Sequence, residues 1–148
     1  MLNEKILSKR CIYALRAIFE LSFRNGDEPV TIEEIANAQD IPARFLEVIM
    51  LELKKGGIVD SVRGNEGGFR LAVSSNQISV SHVIKLIWGK AKENDNTRKT
   101  HNRGDYVFSK LWNDITSVTE RILSNTNFEG LVEDEKRYLY KVVPNYVI

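Results

Sequence analysis

The segment IVDSVRGNEGGFRLA, residues 58–72, places three glycines between two short runs of branched and aromatic side chains. Two such runs separated by glycine and asparagine predict a β-hairpin. Arg63 and Arg70 flank the turn and would give it positive charge. Glycines at the tip would let the backbone approach a phosphate chain or enter a minor groove. A purely structural turn is the alternative, and the sequence leaves both open.

Two short helices are predicted immediately before this hairpin. Thr31 and Glu34 have the spacing of a capping box, which predicts a helix ending near Gln39. Pro42 suits the first turn of a second helix, which runs to about Lys55, where glycines end it. The predicted buried stripe of this second helix is Leu46, Ile49, Met50 and Leu53. Two helices joined by a short turn form a helix-turn-helix motif, and the hairpin after them makes it winged.

Helices are also predicted on both sides of this motif. Residues 4–24 carry apolar residues on two faces, so this helix needs two packing partners. The segment Asn25-Gly26-Asp27 stops it, with glycine suited to the left-handed conformation. Ser79 or Ser81 begins a further short helix near residue 80.

A long C-terminal helix is predicted from Tyr106 to about Leu123. Its apolar residues recur at spacings of three and four, as in a coiled coil. The stripe comprises Phe108, Leu111, Ile115, Val118 and Ile122, with Trp112 beside it. This pattern favours a homodimer, because the first helix also has a spare apolar face; packing within one chain is the alternative.

The chain is predicted to be one mainly helical unit with three parts. Residues 1–88 form the winged helix-turn-helix region with a two-stranded β wing, 89–105 a flexible loop, and 106–148 the dimerisation helix and C-terminal segment. Residues 128–134 are expected to add one helical turn, and the apolar tail after them to pack along the dimer.

Charge does not by itself indicate a nucleic-acid partner. The net charge is +1, and residues 1–72 hold ten basic and eleven acidic residues, a balance of −1. A DNA-binding function therefore depends on where the charges lie. We expect one basic surface made of Ser8, Lys9, Arg10, Arg44, Arg63 and Arg70.

Other functional classes find little support in the sequence. No apolar run is long enough to cross a bilayer, and charges near residue 4 argue against a signal peptide, so we expect a cytoplasmic protein. A single cysteine, Cys11, excludes an internal disulfide and a cysteine-rich metal site. No nucleophile–base pair or carboxylate pair stands out, so an enzyme is not expected.

The sequence resembles the Rrf2-type winged helix-turn-helix transcriptional regulators over about residues 7–134. The wing and the Phe-Leu-Glu run of the second helix together make the resemblance specific. It is carried by Ser8-Lys9, Tyr13 to Ala17, Ile35-Ala36, Ile41-Pro42, Phe45-Leu46-Glu47, Leu53 to Val59, Ser61 to Gly64, Gly67 to Ala72 and Ile78-Ser79. Leu111-Trp112 and residues 128–132 resemble the dimer helix and closing turn of the family.

This resemblance implies a homodimer that binds double-stranded DNA, most often as a repressor. Two recognition helices would enter successive major grooves, and the wings would touch the adjacent minor grooves. The residues implied to contact DNA are Pro42, Ala43, Arg44, Glu47, Val48, Arg63 and Gly64, with Ser8 and Lys9 near the backbone. Arg44 suits guanine or phosphate, and Glu47 suits a cytosine amino group.

Two residues of the recognition helix are unusual for an exposed surface. Val48 and Leu51 point away from the predicted core stripe, where polar residues are expected. One hypothesis is that one or both contact thymine methyl groups. The alternative is that they meet a neighbouring part of the protein.

The sequence departs from the family in one respect. Many members hold an iron–sulfur cluster through three cysteines in the loop before the dimer helix, and residues 89–105 contain none. We therefore predict no cofactor and no metal site; His101 alone is poor support for one. Cys11 is either a small core residue or a redox switch. The effector stays open, and a winged-helix module for protein–protein contact is the alternative function.

Overall fold

The computed structural model of the protein describes residues 7–89 and 102–142. Three predictions fall partly outside these residues: the start of the first helix at residue 4, most of the loop 89–105 including His101, and the tail beyond residue 142. The elements are α1 Lys9–Arg24, α2 Ile32–Gln39, α3 Ala43–Lys55, β1 Val59–Val62, β2 Gly68–Leu71, a 3-10 turn Ser75–Gln77, α4 Val80–Trp88, α5 Asp105–Asn125 and α6 Phe128–Val142. Among the described helices, none is long and apolar enough to cross a membrane.

Helix α1 lies at the centre of the fold and packs against α2, α3, α4 and α6. One of its two apolar faces lies in the core, because Ala14, Ala17, Ile18 and Leu21 are all buried. The predicted stripe of α3, from Leu46 to Leu53, is also confirmed, with no member more than 2% exposed. Packing α3 onto α1 fixes the second helix of the helix-turn-helix motif and leaves its opposite face to solvent.

Three helix boundaries differ from the predicted ones. Ser8 is extended and its hydroxyl accepts the N–H of Cys11 at 3.3 Å, so α1 begins at Lys9 rather than continuing from residue 4. Asn25, not Gly26, takes the left-handed conformation that ends α1, with φ of 42°. Pro42 precedes α3 as its N-cap residue instead of forming its first turn.

The predicted single turn after residue 128 is in fact the 15-residue helix α6. Phe128 and Val132 are buried, and Glu135 and Leu139 are half-buried. These positions lie on one helical face that packs against α1, so tertiary contact sustains a segment whose charged sequence gave little sign of a long helix.

The predicted hairpin is confirmed as an antiparallel pair in which Val59 lies opposite Leu71 and Val62 lies opposite Gly68. The segment before α2 joins it, because Val30 and Phe69 exchange two backbone hydrogen bonds of 2.8 Å each. A Cβ on Gly68 would lie 2.4 Å from the Val30 carbonyl oxygen, and a Cβ on Gly67 equally close to that of Val62. These two glycines are therefore required by close backbone packing within the protein.

Candidate nucleic-acid interface

The first helix of the motif is held by a capping box and a small ionic network. Thr31 Oγ1 accepts the N–H of Glu34 at 3.2 Å, and the Glu34 carboxylate accepts the Thr31 N–H at 2.8 Å. Those Thr31 hydrogen bonds, with Arg24 adding to them, lower the pKa of Glu34 below its ordinary value. The two charged residues thus tie the start of α2 to the end of α1.

A buried glutamate completes this attachment at the other end of α2. Glu20 is only 8% exposed; its carboxylate accepts from Arg24 Nε at 2.7 Å and from Gln39 Nε2 at 2.8 Å. The hydrogen bond with Glu20 is the main cause that raises the pKa of Arg24. Because both ends of α2 are bound to α1, the turn that follows starts from a fixed position.

That turn directs α3 outward. Asp40 takes the left-handed conformation, with φ of 52°, and its N–H donates to the Ala36 carbonyl. Ile41 is then buried, and Pro42 has no N–H and sits in extended geometry before the first turn of α3. Residues 43 and 44 therefore stand at the exposed amino end of the recognition helix.

The outward face of α3 is defined by its buried stripe. Four residues spaced four, three and four apart lie on the side opposite that stripe. In order along the helix they are Arg44, Val48, Leu51 and Lys55. Val48 is 55% exposed and Leu51 is 54% exposed, so no element within residues 7–89 and 102–142 covers them. The alternative that they meet a neighbouring part of the chain finds no support in the described residues.

The amino end of α1 lies beside this face. Lys9 and Tyr13 line a groove of about 500 Å³ together with Phe45 and Val48 of α3. The Arg44 guanidinium stacks 4.8 Å from the centre of the Phe45 ring. The structure thus brings together the predicted DNA-contacting residues of α1 and α3, although Arg10 pairs with Glu52 and contributes less free charge.

The wing is attached to the far end of α3. Lys54 Nζ donates to Ser61 Oγ at 2.5 Å, so the Ser61 side of β1 faces the recognition helix. Arg63 and Gly64 follow at the tip, where both are exposed and a Cβ on Gly64 would meet nothing within 4 Å. Gly64 is therefore the wing glycine with open space at its Cβ position, although its carbonyl accepts the Gly67 N–H at 3.0 Å.

Arg70 does not join the predicted basic surface. It lies opposite Asp60, and alternation along β1 points Asp60 to the side away from Ser61. Arg70 and Asp60 line a shallow depression that also contains Asp27 and Glu129. Strand pairing thus places this arginine among acidic residues on the other face of the hairpin, contrary to the expectation.

The predicted dimerisation stripe lies on a helix that is almost wholly exposed. Helix α5 buries none of its residues, and only Glu120 and Leu123 are even half-buried. All six stripe residues are between 46% and 61% exposed. The centre of the stripe lies roughly 120° around the helix from the side that contacts the protein body, and Trp112 at the edge of the stripe is nearly in line with Leu123.

One carboxylate joins α5 to α4. Glu120 Oε1 accepts hydrogen bonds of 2.9 Å from Ser81 Oγ and Ser124 Oγ and also pairs with Lys85. The hydrogen bond from Lys85 is the largest cause that lowers the pKa of Glu120 to about 2; the two serines add to it. Below this contact, Val80 N–H donates to the Thr126 carbonyl at 2.9 Å and Phe128 is fully buried. The carboxyl end of α5 is therefore its point of attachment.

The described residues do not fit an iron–sulfur cluster. Cys11 is fully buried in the core, and it is the single cysteine in the sequence. Within residues 7–89 and 102–142, no three His, Cys, Asp or Glu side chains come together as metal ligands would. Burial of Cys11 also shields its thiol from solvent oxidants.

A helix-turn-helix with an exposed second helix, a wing at its end and a long separate helix defines a winged helix-turn-helix protein of the DNA-binding type. Comparison with known proteins supports this assignment to the winged helix-turn-helix class. Residues 7–134 match the Rrf2 family model, described as an iron-dependent transcriptional regulator. The chain belongs to the Rrf2 family of transcriptional regulators, and its relatives are regulators, not enzymes.

Individual relatives give the same result. The chain is 39% identical over 87 residues to an rrf2-like regulator of Rhodobacter capsulatus, which covers 57% of this chain and 58% of that protein. It is 31% identical over 134 residues to the transcriptional regulator IscR of Photobacterium profundum, covering 86% of this chain and 76% of that one. The solved structure of T. potens IscR is 26% identical, with a TM-score of 0.75 and coverage of 90% and 95%.

Sequence reasoning missed three features of the site. The groove between Lys9 and Phe45 depends on how α1 crosses α3, which no local pattern records. The contact of Glu120 with Lys85 joins residues 35 positions apart. The side of the hairpin on which Arg70 lies could have been predicted, since strand alternation from Ser61 indicates it.

Proposed function

We propose that this Rrf2-family regulator is a homodimer that binds a partly palindromic DNA site and represses transcription. The observation that carries the proposal is the exposed face of α3, which nothing described covers and which lies beside Lys9 of α1. A helix held by its opposite side to a rigid body is the arrangement with which helix-turn-helix proteins enter a major groove.

Roles for individual residues follow from their positions. Pro42 and Ala43 place the amino end of α3 against the DNA backbone, where helix N–H groups favour phosphate. Arg44 and Glu47 are exposed; Arg44 suits phosphate or a guanine edge, and Glu47 suits a cytosine amino group. Ser8 and Lys9 lie at the amino end of α1, where a second phosphate contact is within the reach of a lysine.

The wing would make the remaining contact. Arg63 is exposed beside Gly64, and the absence of a side chain at Gly64 would allow its backbone to approach a minor groove closely. Gly67 and Gly68 are crowded by backbone oxygens and Gly64 takes a φ of 118°, so the structural explanation accounts for all three glycines, and the DNA explanation adds a use for the open space at Gly64.

The dimer is proposed from the exposed stripe on α5. From Phe108 to Ile122 the stripe runs for about 21 Å along one side of the helix. An apolar surface this long on an otherwise polar helix is typical of an interface. A second copy would cover it, and two α3 helices would then belong to one DNA-binding unit.

Regulation in this protein would not use an iron–sulfur cluster. The family is described as iron-dependent, but one buried cysteine cannot supply the several thiolates that such clusters use. Repression is proposed because a dimer lying across adjacent grooves would obstruct other proteins at the same site. A regulator of this kind would act in the cytoplasm, where bacterial DNA lies.

The decisive experiment selects genomic fragments with the purified protein and then measures affinity over a range of salt. If Lys9, Arg44 and Arg63 of both copies neutralise phosphates, the slope of log affinity against log salt should approach about −5. Enrichment of an inverted repeat with this slope supports the proposal. A flat salt response without enriched DNA would instead favour a protein–protein interaction module.

A further inference from the structure

The centre of the outward face of α3 is apolar and its two ends are basic. Val48 and Leu51 lie between Arg44 and Lys55, and more than half of each apolar side chain is exposed. Exposed valine and leucine adjacent on one helical face are unfavourable in water unless something covers them. This surface, the apolar centre of α3, needs a partner that is apolar in the middle and anionic at both sides.

The dimensions of the face match a DNA groove. Arg44 and Lys55 are eleven residues apart, which is about 16 Å along a helix. The major groove is about 12 Å wide, so cations at this separation reach the phosphates of both strands. Base edges then lie opposite the two apolar residues, and the apolar group that bases present in this groove is the C5 methyl of thymine.

From this geometry we infer that Val48 and Leu51 select thymine by packing on its methyl group, and that each half-site carries thymine at the bases beneath them. The inference rests on the proposed function and adds a specificity to it. A protein partner would need carboxylates placed to match both Arg44 and Lys55, whereas a duplex supplies phosphates at both ends whatever its sequence. Phe45 lies beside this surface, toward the groove next to α1 that Val48 also lines, and its ring is stacked against the Arg44 guanidinium.

The test removes only the methyl group from the DNA. Duplexes from the fragment selection are synthesised with deoxyuridine in place of thymidine at one half-site position at a time. Loss of each contacted methyl should weaken binding about fourfold. Thymines outside the contacted positions should show no change and serve as internal controls.

Two variants show which side chain is responsible for the effect of each thymine methyl group. Val48→Ala and Leu51→Ala change exposed side chains, so both proteins should keep their fold, which circular dichroism checks. Each should bind the thymine duplex more weakly and should lose the difference between thymine and deoxyuridine at one position, as a double-mutant cycle requires. Val73→Ala is the matched control, because Val73 is 40% exposed and lies outside α3.

The outcomes of these experiments distinguish failure of thymine selection from failure of the proposed DNA-binding function. Enriched fragments whose affinity is the same with thymidine and deoxyuridine would overturn the inference and leave the proposed function intact. Alanine variants that bind the thymine duplex as tightly as the original protein would also overturn it and indicate a protein partner for this face. If no fragment is enriched, the proposed function itself fails.

Discussion

Replacing Gly68 by alanine should weaken the wing through the protein itself, independently of DNA. The new Cβ would lie 2.4 Å from the Val30 carbonyl oxygen, whereas carbon and oxygen in contact stay about 3.3 Å apart. Val30 or β2 must therefore move by roughly 1 Å. The Val30 oxygen belongs to the backbone and the new Cβ is bonded directly to the backbone of residue 68, so no flexible side chain can absorb the shift.

A shift of this size breaks the two 2.8 Å hydrogen bonds between Val30 and Phe69, because their donor–acceptor distances would exceed 3.5 Å. Each such bond contributes about 0.5–1.5 kcal/mol net, so Gly68→Ala should lower the free energy of unfolding by about 1–3 kcal/mol. Urea denaturation followed by circular dichroism measures this, at one protein concentration because the stability of the proposed dimer would depend on concentration.

Gly26→Ala is the matched control. Its Cβ would have no neighbour nearer than 3.8 Å, and its backbone is outside the left-handed region. We expect a change within about 0.5 kcal/mol, or a small stabilisation from the less flexible unfolded chain. If Gly68→Ala were as stable as Gly26→Ala, the explanation of this glycine by backbone crowding would be refuted.

Three further predictions concern the dimer, the α4–α5 contact and the DNA face. Ile115→Glu should convert the protein to a monomer in sedimentation measurements, because it places a charge in the α5 stripe; Asn113→Glu, on the opposite side of the helix, should remain a dimer, and equal behaviour of the two would contradict the interface. The pKa of Glu120 is lowered to about 2 from 4.5, so its contribution to stability is complete above pH 4.5 and is lost as the pH falls toward 2. An NMR titration of its carboxyl carbon should show that midpoint, and a midpoint near 4.5 would disprove the contact with Lys85. Arg44→Ala should reduce the salt slope of DNA binding by about 2 per dimer if the guanidinium contacts phosphate; an unchanged slope with altered base preference would assign it to guanine instead.

Local rules made much of the fold predictable. The capping box of Thr31 and Glu34 and the serine cap of α4 at Ser79 formed as expected, since both depend on residues three positions apart. The buried stripe of α3 follows from helical periodicity, and the hairpin from glycine between two strand-like runs. Each of these features is encoded within a few residues, so no knowledge of distant contacts is needed.

Features that depend on distant contacts were not predictable in the same way. Helix α6 has a charged sequence, and its length is supported by the buried Phe128 and Val132. For Gly67 and Gly68 the sequence left a DNA contact and a structural turn both open, and the oxygens that crowd them belong to Val62 and Val30 of the same chain. In both cases tertiary packing brings together the atoms that determine the structure, and helical periodicity and turn propensity do not predict that packing.

The attachment of α5 has a consequence for how a dimer would read DNA. Within the described residues this helix touches the body through Glu120 and Leu123 near its carboxyl end, while its stripe faces elsewhere. A dimer formed through the stripe would therefore transmit its geometry to each α3 through one short contact. Any change in the angle of α5 at Glu120 would be amplified along the length of the helix, because a small rotation at one end displaces the other. The spacing between two recognition helices in such a dimer would depend on the Glu120 hydrogen bonds and the Val80–Thr126 backbone bond as well as on the apolar stripe.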